Sequence, residues 1–252
     1  MSYALLDSGD GLKIEQFGDL VIQRPAPTAL WKLSKKKWDV DAVFENKEWK
    51  LSKKLEEKWI VTIEGIRFLL KRTDFGHLGL FPEQAEQWGW LQENGHGRIL
   101  NLFAYSGGST FACPGEVTHL DAARGMVEWA SENAKLNNRS DIRWIVEDVR
   151  KFVKREYKRK AKYDGIILDP PTFGRGKSLE VFKIERDLVP LLDLFVEFEP
   201  SFVLLSCHTP GYTPTVLSNL LKERFGDQIT SGEMLLKGPF NLPSGAFARW
   251  HK

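Results

Sequence analysis

Only two cysteines, Cys113 and Cys207, occur in 252 residues. So few give no disulfide framework, which excludes a small stapled secreted scaffold. No apolar run reaches the length of a membrane span. Met1 is followed by Ser2-Tyr3-Ala4-Leu5-Leu6-Asp7, without the basic start and long apolar stretch of a secretory signal. A reducing cytoplasm is the expected compartment, with no membrane partner. An excess of one charge is also missing: 36 Lys and Arg face 34 Asp and Glu, a net of +2. That balance neither demands nor excludes a nucleic-acid partner. The dinucleotide fingerprint G-x-G-x-x-G is absent, as are internal repeats and low-complexity segments. Neither NAD nor a metal is expected.

What is present is 42% hydrophobic and 28% charged, the composition of a globular protein. At this length one or two domains fit. Residues 1–90 read as a small β-rich region. Asp19 to Gln23 fits a short strand stopped by Pro25 and Pro27. Trp59–Ile63 and Ile66–Leu70 flank Glu64-Gly65, the pattern of a hairpin. Residues 91–252 alternate instead. Helical spacing is expected over 122–136, 149–159, 178–197 and 213–225, with Gly226 as a cap. Phe202 to Ser206 fits a buried strand, and 234–236 and 247–250 the last two. This order predicts an α/β fold: a Rossmann-like, doubly wound, mostly parallel sheet with an antiparallel edge hairpin.

The string Ile99-Leu100-Asn101-Leu102-Phe103-Ala104-Tyr105-Ser106-Gly107-Gly108-Ser109-Thr110 is the most informative. An apolar run breaks into a small glycine turn, and the next apolar run, Val117-Thr118-His119-Leu120, ends in Asp121. Two further runs end in Glu147-Asp148 and in Asp169-Pro170-Pro171. Each acid alone could be a helix N-cap, and the glycines an ordinary turn. Three acids at successive strand ends, in step with a glycine turn, point to a ligand at the carboxyl edge of the sheet. Asp121 would accept from ribose hydroxyls. One acid with few phosphate-cradling glycines suits an adenosine cofactor without a pyrophosphate, such as S-adenosylmethionine.

Charge is clustered. Lys32, Lys35, Lys36 and Lys37 form one group, and Lys151, Lys154, Arg155, Lys158, Arg159, Lys160 and Lys162 another. Both are either solvated faces or footprints for phosphates. Nine tryptophans suggest mostly core, with some available to stack on bases.

These residues resemble the class I S-adenosylmethionine-dependent methyltransferases, and within them the 23S ribosomal RNA subgroup of cytosine-C5 and guanine-N7 large-subunit enzymes. The likeness spans roughly residues 60–252. It is carried by Leu100 to Gly108, by Asp121 with Trp129 to Asn137, by Glu147-Asp148-Val149, by Asp169 to Phe173, and by Phe75 to Gln84. The resemblance implies that Asn101, Ala104, Tyr105, Ser106, Gly107 and Gly108 wrap the methionine and ribose. Asp121, with Ala122 beside it, would hold the ribose. Asp148 would accept from the adenine amine and Val149 donate from its backbone. Asp169 and Pro170 would stand between cofactor and substrate, and Phe81 and Gln84 would line the entrance. The chain departs from the subgroup in lacking an obvious RNA-binding module at its N-terminus, and in a short helix after Gly108, cut off by Pro114.

For the chemistry, carbon five of cytosine needs prior attack by a thiolate. Cys207, ending a strand adjacent to Asp169, is the candidate nucleophile; burial as an inert core residue is the other reading. Cys113 reads as packing, and His208 as a base or a structural residue. Asp169-Pro170-Pro171 followed by Phe173 is similar to enzymes that stack a flipped base on an aromatic, although Thr172 intervenes. The expectation is a methyltransferase acting on ribosomal RNA, cytosine carbon five ahead of a guanine ring nitrogen. A small-molecule methyltransferase and a non-catalytic RNA-binding protein are the rivals.

Overall fold

Short alternating runs, joined by turns whose residues sit at positive φ (Asp10-Gly11, Gly18, Asn46-Lys47), make sheet hairpins at the start of the chain. The computed structural model describes residues 3–175 and 181–252. Strands β1 (Tyr3–Gly9), β2 (Leu12–Phe17), β3 (Leu20–Pro25), β4 (Ala42–Glu45) and β5 (Glu48–Leu51) form one sheet in that order. Only the β3–β4 pair in it is parallel. The hairpin expected around Glu64-Gly65 is β6 (Lys58–Ile63) and β7 (Ile66–Lys71), with both turn residues at positive φ, 49° and 75°. That is the pairing a two-residue turn requires to match strand twist. Chain contacts divide the protein into two units: Met1–Ala85 with Leu235–Ser244, and Glu86–Met234 with Gly245–Lys252.

The alternating half follows in order. It comprises α1 (Ala85–Asn94), β8 (Arg98–Leu102), α2 (Gly108–Ala112), β9 (Glu116–Asp121), α3 (Arg124–Leu136), β10 (Arg143–Val146) and α4 (Val149–Lys158). Then come β11 (Gly165–Leu168), β12 (Phe173–Arg175), β13 (Val181–Lys183), α5 (Ile184–Val196), β14 (Phe202–Cys207), α6 (Pro214–Phe225), β15 (Ile229–Leu236) and β16 (Leu242–His251). Seven of these strands make one sheet in the order β10-β9-β8-β11-β14-β16-β15. The pairs from β10 to β14 are parallel, and β16 runs antiparallel to β14. This is the doubly wound sheet with an antiparallel edge that the sequence predicts. Leu, Ile and Val of β8, β11 and β14 meet Phe152 and Val153 of α4, Leu191, Leu192 and Phe195 of α5, and Leu217 and Leu221 of α6 in one buried core.

Several bounds differ from expectation, the last two strands being longer at Ile229–Leu236 and Leu242–His251, and two helix starts differ for a local reason. The helix expected over 178–197 begins at Ile184, because Val181–Lys183 pairs with Phe173–Arg175 as a small antiparallel ribbon. Residues 178–180 of that expectation lie outside the described residues. Helix α3 starts at Arg124 rather than Ala122, because the Asp121 carboxylate captures the Ala123 N–H at 2.8 Å and holds the chain in a turn.

Candidate functional site

Strand order reverses between β8 and β11, and a sheet wound both ways from such a point leaves a crevice at its carboxyl edge. Leu102 is in register with Leu120 on one side and with Leu168 on the other. The chain therefore leaves the edge at three adjacent places: Phe103, Asp121 and Asp169.

The turn after β8 is tightly specified. Phe103 and Tyr105 sit at φ 55° and 48°, unusual for non-glycine residues, and Gly107 at 101°. The Ala104 N–H donates to the Leu120 carbonyl at 3.1 Å and the Tyr105 N–H to Asp121 Oδ2 at 3.1 Å. Asn133 of α3, fully buried, donates from Nδ2 to the Ser106 carbonyl at 3.0 Å. Below the turn, Asn101 Nδ2 donates to Thr110 Oγ1 at 2.9 Å, and Thr110 Oγ1 meets His119 Nδ1 at 2.8 Å. Asn101 thus supports the turn from below through one of its amide N–H groups. The glycines are required by packing. A Cβ on Gly107 would stand 2.5 Å from the Phe111 ring, and one on Gly108 would stand 2.6 Å from that of Trp88.

Asp121 closes the far side of the turn. Burial raises its carboxyl, and the backbone N–H groups of Ala123, Tyr105 and Ala122 oppose that rise. A carboxylate with two acceptor oxygens keeps lone pairs beyond these bonds, which is what vicinal hydroxyls need. Asp148 is the N-cap of α4, accepting from Arg150 N and Lys151 N. Its Oδ2 also takes Arg150 Nη2 at 2.7 Å. Burial pushes this carboxyl up, but Arg150 outweighs it and the group is held below its ordinary value. The cap reading of this acid is therefore real, and Oδ2 retains a lone pair for a further donor. Val149 begins the helix, so its N–H has no intrahelical acceptor.

Asp169, Pro170 and the exposed Phe173 follow β11. Phe173 is 68% exposed. Asp169 Oδ1 lies 3.2 Å from His208 Nδ1, with about a quarter to a third of each side chain open to solvent. Thr172 Oγ1 and Thr209 Oγ1 are 2.8 Å apart and tie the two loops together. Cys207, expected as the nucleophile, does not share that exposure. It is 1% exposed within the main core, its Sγ accepting from the Thr209 N–H at 3.4 Å. Burial pushes its thiol up, away from the thiolate that attack on a base needs. Of the two readings of this cysteine, its surroundings favour the inert core residue, because strand β14 is buried along its whole length. Cys113 is core as expected, its thiol pushed up to about 12 by burial.

Phe81 and Gln84 belong to the first unit. Phe81 precedes a single 3-10 turn, Pro82–Gln84, and its ring packs edge-on against His77 at 5.4 Å. Gln84 is buried. Within the basic cluster, Arg155 grips Glu147 through both guanidinium nitrogens and Arg159 pairs with Glu156. Lys151, Lys154 and Lys158, at i, i+3 and i+7 of α4, are exposed. None of the nine tryptophans is exposed, so the aromatics free to stack are Phe75, Phe173 and Phe240, with Tyr157 less open. Sequence reasoning missed Thr110, His119 and Asn133. Asn133 occupies an apolar position of α3 between Ala130 and Ala134, a signal that was available.

The donor set at this edge fits an adenosine sulfonium: a carboxylate for vicinal hydroxyls at Asp121, a free N–H at Val149, and a backbone turn held from below. A family described as S-adenosylmethionine-dependent methyltransferase matches residues 33–231. A Pseudomonas paraeruginosa protein named ribosomal RNA large subunit methyltransferase K/L is 32% identical over 68% of this chain and 24% of its own length. The chain spans about a quarter, or less, of the length of such curated relatives. The crystal structure of a SAM-dependent methyltransferase from Agrobacterium tumefaciens superposes with a TM-score of 0.94 at 32% identity, covering 100% of this chain and 90% of that one. The structure of SMU.776 complexed with SAH has a TM-score of 0.76 at 19% identity, covering 98% and 75%, a likeness of fold.

Proposed function

Since the chain belongs to the S-adenosylmethionine-dependent methyltransferase family, we propose that it methylates a base nitrogen of large-subunit ribosomal RNA, directly and without a cysteine adduct. The observation that carries this reading is the contrast between neighbouring groups at the carboxyl edge. Cys207 is sealed in the core, while Asp169, His208 and Phe173 are open to solvent. The names of the curated relatives support ribosomal RNA as the substrate class. Lys151 and Lys154 of α4, exposed and without an ion pair among the described residues, support a polyanion.

S-adenosylmethionine, when bound, supplies an electrophilic methyl on a sulfonium. Asp121 would hold its ribose hydroxyls, and Val149 and Asp148 its adenine. Ala104 to Gly108 would form the wall against its methionine, with Ala122 as a further candidate. Phe173 offers its face to a base turned out of the stack. Asp169 accepts from that base's N–H edge, and His208 holds the carboxylate in place. With the cofactor held there, a ring nitrogen bearing a lone pair would be placed for in-line displacement of the methyl, the neutral thioether leaving and the positive charge passing to the methylated base. Alignment and exclusion of water do most of the work in such an in-line displacement.

Two variants test this. Cys207→Ala should keep cofactor affinity and methylate ribosomal RNA within a few fold of the parent, with no covalent adduct on RNA carrying 5-fluorocytosine. Asp169→Ala should lose on the order of a hundred-fold in rate, as expected when a positioned acceptor is removed. Mass mapping of the product should find the methyl on nitrogen. Loss of activity in Cys207→Ala with normal cofactor binding, together with an adduct in the parent, would overturn the nitrogen reading in favour of carbon five.

A further inference from the structure

The first turn of α4, strand β13 and the first turn of α5 enclose a groove of about 570 Å³. Five of its lining side chains are cationic: Arg150, Lys151, Lys154, Lys183 and Arg186. Two are carboxylates, Asp148 and Asp187. The carboxylates are already neutralised. Arg150 bridges them, with Nη2 on Asp148 at 2.7 Å and Nη1 on Asp187 at 3.1 Å. Arg186 Nε adds a second contact to Asp187 at 2.7 Å. Two arginines therefore balance two acids, and this network makes the rigid floor of the groove. At the helix N-terminus, the N–H groups of Arg150 and Lys151 are already taken by Asp148.

Lys151, Lys154 and Lys183 remain. All three are exposed, and none makes an ion pair among the described residues. Lys151 and Lys154 share one face of α4, and Lys183 faces them from β13. Three uncompensated ammonium groups around one concavity repel one another unless an anion sits between them. No aromatic ring or free guanidinium joins them in the lining, so the groove offers a run of charge and no stacking surface for bases. That is the chemistry of a phosphodiester backbone.

We propose that this groove binds the backbone phosphates of the RNA substrate. The proposal rests on the RNA reading above and adds to it a location. Asp148 forms part of the groove wall and also belongs to the residues assigned to the cofactor, so the bound strand would pass beside the cofactor's adenine end. Lys158, one helical turn beyond Lys154, does not line the groove.

The test is the triple variant K151Q/K154Q/K183Q against the matched control K135Q/K158Q/K160Q, which removes the same charge from exposed lysines elsewhere. Affinity for a large-subunit ribosomal RNA fragment is measured across a salt series, with S-adenosylmethionine affinity by calorimetry as the check of folding. The groove variant should bind RNA at least roughly ten-fold more weakly at low salt, and its log affinity should fall less steeply with log salt, by about 2 in slope for three lost phosphate contacts. The control should follow the parent in both. If the parent binds and methylates RNA but both triples match it, the groove is a solvated surface and the RNA reading survives. If the parent neither binds nor methylates RNA, the substrate reading falls and the groove proposal falls with it.

Discussion

His119 and Asp121 stand two residues apart on β9, on the same face of the strand, in opposite surroundings. Asp121 is at the sheet edge with lone pairs to spare. Asp121→Ala should weaken S-adenosylmethionine binding by the worth of a hydrogen bond to a charged group, about 1.5–3 kcal/mol. The same carboxylate holds Tyr105 and Ala123, so Asp121→Asn is the informative companion: it should keep the turn and recover part of the affinity. Calorimetry giving unchanged affinity for Asp121→Ala would remove this residue from the cofactor site. His119 is enclosed, its ring tilted at 58° to Trp144 with centroids 4.9 Å apart, and its Nε2 lacks a partner among the described residues. Burial lowers its pKa to about 3. The unfolded chain takes up this proton below about pH 6.5, while the folded chain refuses it until about pH 3. Stability must therefore fall as pH drops through that window, by up to ~1.4 kcal/mol per unit. Between pH 7 and 5 the His119 share is about 2 kcal/mol. Urea unfolding of the parent should show a steeper loss over that range than His119→Gln, by about that amount. Equal slopes would mean that His119 binds its proton equally well in the folded and unfolded chain.

At the scale of elements, the turn from β8 into α2 is the most constrained segment of the site. Gly107 combines φ 101° with a Phe111 ring where a Cβ would go. Gly107→Ala should cost at least the ~1–2 kcal/mol of a left-handed conformation, with the displaced ring in addition. The melting temperature and the cofactor affinity should fall together; a melting temperature equal to the parent's would show that the turn relaxes freely. The sequence carried this element openly, because an apolar run, a glycine pair and an acid at the next strand end have few other uses in combination. The α4 boundary was legible for a similar reason, since Asp148 caps it. Strands β12 and β13 were not. Three residues carry no period, and Val181-Phe182-Lys183 runs straight into a helix, so the apolar spacing read through the junction. The acids at the strand ends were legible as residues, but not their partners. That Arg150 bridges Asp148 to Asp187, 37 residues beyond Arg150 itself, depends on how α5 packs. Nor could the sequence tell a cysteine that ends a strand at the surface from one that ends it in the core.

Across the whole molecule the chain does not fold in sequential blocks. The unit that begins at the N-terminus also takes Leu235–Ser244, the end of β15 and the start of β16. Within that unit Leu236 and Leu242, 1% and 2% exposed, complete a buried cluster with Leu5, Ala26 and Ala29. Gly238 lies against Leu5 so closely that a Cβ there would be 2.8 Å from the Leu5 carbonyl oxygen. Full burial of a leucine is worth about 1.5–3 kcal/mol, so the two together supply about 3–6. Native domains hold only about 5–15 kcal/mol in all, and a small unit sits toward the low end. A fragment ending at Ala85 would therefore forfeit a large part of its margin, and also expose Leu5 and Ala29 to water. Expressed alone, residues 1–85 should show no cooperative thermal transition by circular dichroism. Joining residues 235–244 to them through a flexible linker should restore one. Cooperative unfolding of the short fragment, unchanged when the segment is added, would show that Leu236 and Leu242 contribute nothing to this core.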